Sequence, residues 1–323
     1  MKAIQACITG ANGFIGQGLV AALYRQGLSI RVLTRRSDCV FPAGVQVVQG
    51  DLTTPDYPLD QFLAGCEVIF HCAGEISDVT TMQLLHIDGT QRLLQATLKE
   101  AAQSGQRIHW VQLSSVGTYG PPEEGARTDR IVTEVTHPHP VGEYEVTKTR
   151  SDELVLQAGE GDLMTYSIVR PSNVFGAMMP NQSLRGLISM VERGLFFYIG
   201  QPGAVATYVH VDDVAAALMK CAFEPKARGQ IYNLSNDCPL EELIKCIALL
   251  LGVRSPRIRI PESLIRNVVG LFEGQVNIPL TQSRIDSLVN KTHYLSDKII
   301  SELGFKFTKS MPASVEELIK KSS

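Results

Sequence analysis

The sequence predicts an α/β protein: a doubly wound parallel sheet followed by a smaller, mostly helical C-terminal substrate lobe. Three observations carry that expectation. Short β-prone runs alternate with helical patterns as far as Arg170-Pro171. A glycine-rich turn joins the first such run to the first helix. Turn residues then multiply, and from Pro239 onward helix dominates. Strand and helix in alternation give parallel strands with helices on both faces.

The elements follow in order. Ile4–Thr9 is an apolar strand, and Gly13–Arg25 is a helix with Phe14, Leu19 and Leu23 on its buried stripe. Ser29–Leu33, Val45–Val48, Val68–Cys72 and Ile108–Leu113 are the next four strands, with a long helix from Thr81 to Ser104 before the last of them. A helix over Gly142 to Ala158 leads to a strand at Thr165–Val169. Thr207–Val211, with the helix Asp213–Phe223, and Gln230–Leu234 are expected to return to the sheet. The division is therefore interleaved: residues 1–176, with 206–235 returning, form the nucleotide domain, and 177–205 with 236–323 form the substrate lobe.

Composition narrows the class. The chain has 323 residues, 44% hydrophobic and 20% charged, which is enough apolar material for a full core. A net charge of −3 argues against a dedicated nucleic-acid binder. Apolar runs such as Ile247–Leu251 fall far short of the ~20 residues of a membrane span. The N-terminus lacks a signal peptide's apolar core. The seven cysteines contain no CxxC pair, so they read as reduced, mostly buried thiols of a cytoplasmic protein. Neither they nor the seven histidines have metal-ligand spacing, and no metal is expected.

Thr9-Gly10-Ala11-Asn12-Gly13-Phe14-Ile15-Gly16 has the physics of a dinucleotide loop. Gly10 permits the tight turn, Gly13 lets backbone N–H groups approach a pyrophosphate, and Gly16 allows close helix–strand packing. This places a Rossmann-type nucleotide site at the first turn, with Asn12, Phe14 and Ile15 beside the glycines. The second strand ends Leu33-Thr34-Arg35-Arg36, where an NAD enzyme usually has an acid. Arg35 and Arg36 suit a 2′-phosphate by charge and fork geometry, so NADP is expected, with NAD the alternative. Gly50-Asp51-Leu52 follows the third strand; Asp51 bonds the adenine amino group or caps the next turn.

Tyr144 and Lys148 stand at i and i+4, on one face of a helix. A nearby ammonium stabilises phenolate and is expected to lower the tyrosine pKa toward working pH. Tyr144 is thus a candidate general acid–base, and Lys148 a ligand of the nicotinamide ribose. Ser114-Ser115 ends the fifth strand, where open α/β sheets bind ligands.

Together these pieces resemble the extended short-chain dehydrogenases/reductases, which include nucleotide-sugar epimerases and 4-keto reductases. The resemblance runs in order through His71-Cys72-Ala73-Gly74, Gly89-Thr90, Ser114-Ser115 to Tyr119-Gly120, Tyr144…Lys148 and Arg170-Pro171-Ser172-Asn173-Val174-Phe175-Gly176. Tyr208-Val209-His210-Val211-Asp212-Asp213 and Glu302-Leu303-Gly304-Phe305 complete it. It implies that Ser115, Tyr144 and Lys148 are catalytic. It implies that Ala73, Gly74, Ser114 and Pro171 line the cofactor together with Asp51 and Leu52. Asn173 matches a residue that contacts the substrate diphosphate in nucleotide-sugar members. A homodimer through the two long helices is implied too.

The sequence departs from that family at several points. His86 stands where asparagine is usual, as part of an unusual hydrogen-bond network or as a satisfied core histidine. Ala206 stands where sugar epimerases often carry a diphosphate-binding arginine; Arg185 or Arg284 could substitute. Val116-Gly117 cannot supply the acids of the sugar dehydratases. His137 and His139 read as loop residues and Cys72 as packing. The leading expectation is NADP-linked 4-keto reduction or C4 epimerisation of a nucleotide sugar. Reduction of a hydrophobic ketone, favoured by Ala206 and the apolar Leu195–Ile199 stretch, and a non-catalytic NADP-binding role are the alternatives.

Overall fold

The computed structural model describes residues 4–55, 57, 59–122, 129–180, 182–272 and 280–319. Seven strands form one parallel sheet: β1 (Gln5–Thr9), β2 (Ser29–Thr34), β3 (Gln46–Gln49), β4 (Val68–His71), β5 (Ile108–Leu113), β6 (Met164–Pro171) and β7 (Gln230–Leu234). Their order across the sheet is β3-β2-β1-β4-β5-β6-β7. The order reverses between β1 and β4, and ligands of such sheets bind in the crevice at the carboxyl ends there.

Helices cover both faces. On one, α1 (Phe14–Arg25) lays Leu19, Val20 and Leu23 against Val214 and Leu218 of the helix Val211–Phe223. On the other, α2 (Thr90–Ser104) and α3 (Glu143–Ala158) bury Leu93, Leu94 and Val155 against Trp110 and Ile168. Strands buried on both faces need no apolar–polar alternation, which is why β1 and β5 are buried at every position.

The long helix expected from Thr81 begins at Val79 and contains a π-helical stretch, Gln83–Gly89, before α2. Gly89 is required here: a Cβ on it would stand 2.9 Å from the Leu52 carbonyl oxygen. Gln230–Leu234 does return to the sheet, pairing with β6. The expected return at Thr207–Val211 does not occur. Tyr208–His210 pairs instead with Asn173–Phe175 in a separate two-stranded ribbon. The chain leaves β6 at Pro171, and the short strand that follows supplies the partner.

Beyond that ribbon, Leu184, Ile188 and Val191 pack with Leu243, Ile244, Ile247 and Met311 in a core of their own. A smaller cluster joins Ile199, Ile265, Val269 and Ile285, so the helix Glu262–Phe272 is held by its inner face. Among the described residues no helix is long and apolar enough to cross a membrane, and no His/Cys/Asp/Glu group could hold a metal. All seven cysteines are free.

Candidate active site

The glycine loop closes the carboxyl end of β1. Gly10 has φ +68°, and a Cβ there would lie 2.6 Å from the Ala73 nitrogen. A Cβ on Gly16 would lie 2.1 Å from the Gly10 carbonyl oxygen. The turn therefore admits no side chain at either position. Gly13 precedes α1, which has no side-chain cap and no acid in its first turn. Its leading N–H groups are left for an anion, and the cradle fits a dinucleotide diphosphate. Phe14 and Ile15 pack into the two cores, so they offer the cofactor their backbone. The Asn12 carbonyl accepts from Gln17 Nε2 at 3.0 Å, and Ala73 N donates to Thr9 Oγ1 at 3.3 Å.

At the adenine end the two readings of Asp51 separate. Its Oδ1 accepts from Thr53 N and Thr53 Oγ1 at 2.9 and 2.8 Å, which makes it a turn cap. Its other oxygen stands 3.9 Å from Arg35. Leu52 is buried, and its carbonyl accepts from Arg92. A cavity of about 310 Å³ opens here between Asp51, Leu52, Tyr57, Arg92, Gln95 and Lys99. Arg36 is exposed beside Arg35.

Tyr144 lies in the first turn of α3, with Lys148 one turn on. Lys148 is buried and donates from Nζ to the Leu113 carbonyl at 2.6 Å, at the end of β5. Burial lowers its pKa. The expected lowering of the Tyr144 pKa is corrected here. Burial pushes the phenol up to about 12, and the Glu145 and Asp152 carboxylates add to the rise. The ammonium is aimed at a carbonyl, so it does not offset them. Ser115 Oγ accepts from Gly117 N at 3.1 Å and caps the short 3₁₀ turn Val116–Tyr119.

Ser114 is tied to the helix of Tyr144. Its hydroxyl donates to Asp152 Oδ2 at 2.7 Å. The same oxygen accepts from Arg170 Nε and Nη2 at 3.2 and 3.1 Å. Arg170 Nη1 donates to the Tyr119 hydroxyl, which donates to Asn233 Oδ1 at 2.7 Å. This polar wall stands directly behind Lys148, and Pro171 closes the strand that carries it. Sequence reasoning missed Asp152, although its position four residues beyond Lys148 puts both on one helix face.

His86 is a satisfied core histidine with a structural task. Its Nε2 accepts from Glu75 N at 2.9 Å, so the proton is on Nδ1, which donates to Thr147 Oγ1 at 2.9 Å. Its ring meets Tyr144 edge-on at 5.8 Å. Burial, with Lys148 nearby, lowers its pKa to about 3. It ties the loop after Gly74 to the helix of Tyr144.

The expected substrate residues have these surroundings. Asn173 donates from Nδ2 to the Thr207 carbonyl at 3.0 Å. Arg185 donates to the carbonyls of Ala177 and Leu318 at 2.9 and 3.3 Å. Arg284 lies exposed on the helix Gln282–Val289. Ala206 is buried, paired with Cys238.

A dinucleotide cradle at the first βα turn and a Tyr–Lys pair beside a strand-end serine define an extended short-chain dehydrogenase/reductase. The NAD dependent epimerase/dehydratase family matches residues 6–235, and the chain belongs to that family. It is an NAD(P)-dependent oxidoreductase/epimerase. It is 28% identical, over 92% of its length and 90% of the relative's, to a 4-hydroxy-2-methyl-3-oxo-4-farnesyl-3,4-dihydroquinoline-1-oxide ketoreductase of Stigmatella aurantiaca. It is 29% identical, over 81% of its length and 79% of the relative's, to sterol demethylase protein B of Methylococcus capsulatus. Its fold is similar to that of the UDP-glucose 4-epimerase of Thermotoga maritima solved with UDP-glucose (TM-score 0.74, 19% identity, 99% of each chain).

Proposed function

We propose that the protein is an NADPH-dependent reductase of a ketone on a hydrophobic substrate. One observation carries this reading over a nucleotide sugar: Arg185 and Asn173, two groups suited to a diphosphate, are engaged by the fold. Arg185 is held by two backbone carbonyls, Asn173 by a third, and Ala206 offers no charge. The half-buried Arg185 guanidinium would have to give up both carbonyl bonds to reach a ligand, a net loss of about 0.5–1.5 kcal/mol each. The ketoreductase and sterol-linked names of the two relatives support the same substrate class.

The cofactor supplies hydride chemistry when bound. Gly10, Gly13, Gly16 and the open end of α1 hold its diphosphate, and Ala73 and Gly74 line its path. Arg35, 59% exposed and only loosely paired with Asp51, is free to turn to a 2′-phosphate. The Ser115 hydroxyl donates to the substrate carbonyl oxygen, and Tyr144 delivers its proton there as negative charge develops. Lys148 holds the ribose and, once turned from Leu113, brings the phenol pKa back down.

The test is a cofactor-oxidation assay with NADPH and NADH on medium-chain ketones, 3-ketosteroids and UDP-hexoses. NADPH-linked turnover of the apolar ketones is expected, with a loss of about 10²–10⁴-fold in Tyr144→Phe. Interconversion of UDP-hexoses, with NAD released on denaturation, would overturn the reading.

A further inference from the structure

Glu145 follows the candidate acid–base directly, yet nothing above gives it a task. Its side chain folds back over two glycines. A Cβ on Gly142 would stand 2.2 Å from Glu145 Oε2, and one on Gly117 would stand 2.7 Å from Glu145 Cγ. That second point also lies 3.3 Å from Ser115 Oγ and 3.6 Å from Glu145 Oε1. Carboxylate and serine hydroxyl thus flank Gly117 on one side, with the Glu145 side chain packed tightly against the glycine. An acid in this first-turn position often returns to the N–H at the start of its helix. Gly142 starts α3 without any side-chain cap, and no such bond forms. Among the described residues no hydrogen bond or ion pair engages the Glu145 carboxylate.

We infer that Glu145 is a specificity-determining residue whose carboxylate accepts a hydrogen bond from a donor on the substrate, a hydroxyl or ammonium one or two carbons from the reacting carbonyl, and repels anionic substrates. An ionised carboxylate only accepts, so its complement must donate. Because Glu145 and Ser115 flank the same glycine, a substrate whose carbonyl oxygen meets the serine presents that donor to the carboxylate from the same side. The inference rests on the proposed reductase activity and adds the polar feature its hydrophobic substrate carries. The same carboxylate also acts on Tyr144. The charged groups acting on that phenol are Glu145 and Asp152 on its own helix, with Lys148 turned to the Leu113 carbonyl, and from the neighbouring helix it meets the neutral His86. Removing the Glu145 charge therefore lowers the phenol pKa.

The experiment compares wild type with Glu145→Gln, which keeps the shape, and Glu145→Ala. The probes are 2-nonanone, 4-hydroxy-2-nonanone and 3-oxononanoate, with NADPH affinity followed by fluorescence. Wild type is expected to prefer the hydroxyketone. In Glu145→Gln the ratio of kcat/KM for hydroxyketone over plain ketone falls tenfold or more, and turnover of the keto acid rises. The alkaline limb of its pH profile moves to lower pH, and NADPH binding is unchanged. An unchanged ratio, or an equal loss on all three probes, would overturn the inference. The two readings fail separately. If wild type turns over UDP-hexose and no ketone, the reductase reading falls. Glu145 is then judged on UDP-hexose, where a rise in kcat/KM for Glu145→Gln sustains its anion-repelling role and no change ends it.

Discussion

Two regions of the molecule each set an arginine against an aspartate, with opposite consequences. In the wall behind Tyr144, Arg170 and Asp152 are 4% and 1% exposed and share two hydrogen bonds, with Ser114 and Tyr119 bound to the same pair. At the end of β2, Arg35 and Asp51 are 59% and 30% exposed and 3.9 Å apart. Desolvated charges must stay paired, because either one alone is a large penalty, so the wall has a single geometry. Solvated charges gain little from each other and can re-pair with a ligand. The protein thus fixes the ground behind its candidate proton donor and leaves loose the place proposed for a phosphate.

Breaking the wall gives the largest expected effect. Arg170→Leu strands Asp152 in a dry site and is expected to cost about 3–5 kcal/mol. Chemical denaturation measures this, and Arg170→Leu/Asp152→Leu should recover much of the loss. A wall whose two arginine-deficient variants are equally unstable would contradict the pairing argument.

Acid probes the same buried side of the comparison. Burial lowers the pKa of His71 well below its ordinary value, that of His86 to about 3 and that of His109 to about 4. A histidine depressed in the folded state binds fewer protons than in the unfolded chain. Its contribution is complete above about pH 6.5 and is lost as pH falls toward the folded value. Thermal midpoints should therefore drop steadily from pH 6.5 to 4. His86→Asn should flatten part of that slope.

The rim should respond least in stability and most in selectivity. Arg35→Ala is expected to leave the melting temperature within about a degree, since exposed pairs contribute about 0–1 kcal/mol. It should raise KM for NADPH roughly tenfold, about 1.4 kcal/mol, and leave NADH unaffected. The NADPH preference should also weaken as salt is raised.

The sequence exposes the cofactor side because its signals are local. The glycine loop, the missing acid at Arg35-Arg36 and the Tyr144–Lys148 spacing each fit within a few residues. The sheet is legible for the same reason, strand by strand. What escapes is set by partners far along the chain. Only the fold shows that the Ser114 hydroxyl turns to Asp152 while that of Ser115 caps the next turn. Asn173 and Arg185 meet Thr207, Ala177 and Leu318 only when distant stretches of chain come together, which spacing does not show. Tyr208–His210 is β-prone in either sheet, and the nearest edge wins. The depressed pKa expected for Tyr144 depended on where one ammonium is aimed, which spacing does not encode.

The wide turn at Gln83–Gly89 changes which genetic lesions matter. It holds one more residue than an α-turn does, and each residue of an α-helix advances the chain by ~100° around its axis. Deleting one residue there would restore ordinary pitch and leave the helix on either side facing nearly as before, whereas adding one would swing everything upstream by about that angle relative to Thr90–Ser104. His86 points at Thr147 while Thr90 points at His71 and Ser151, so after an insertion between them both could no longer face inward. For this stretch an in-frame gain of a codon does more harm than an in-frame loss.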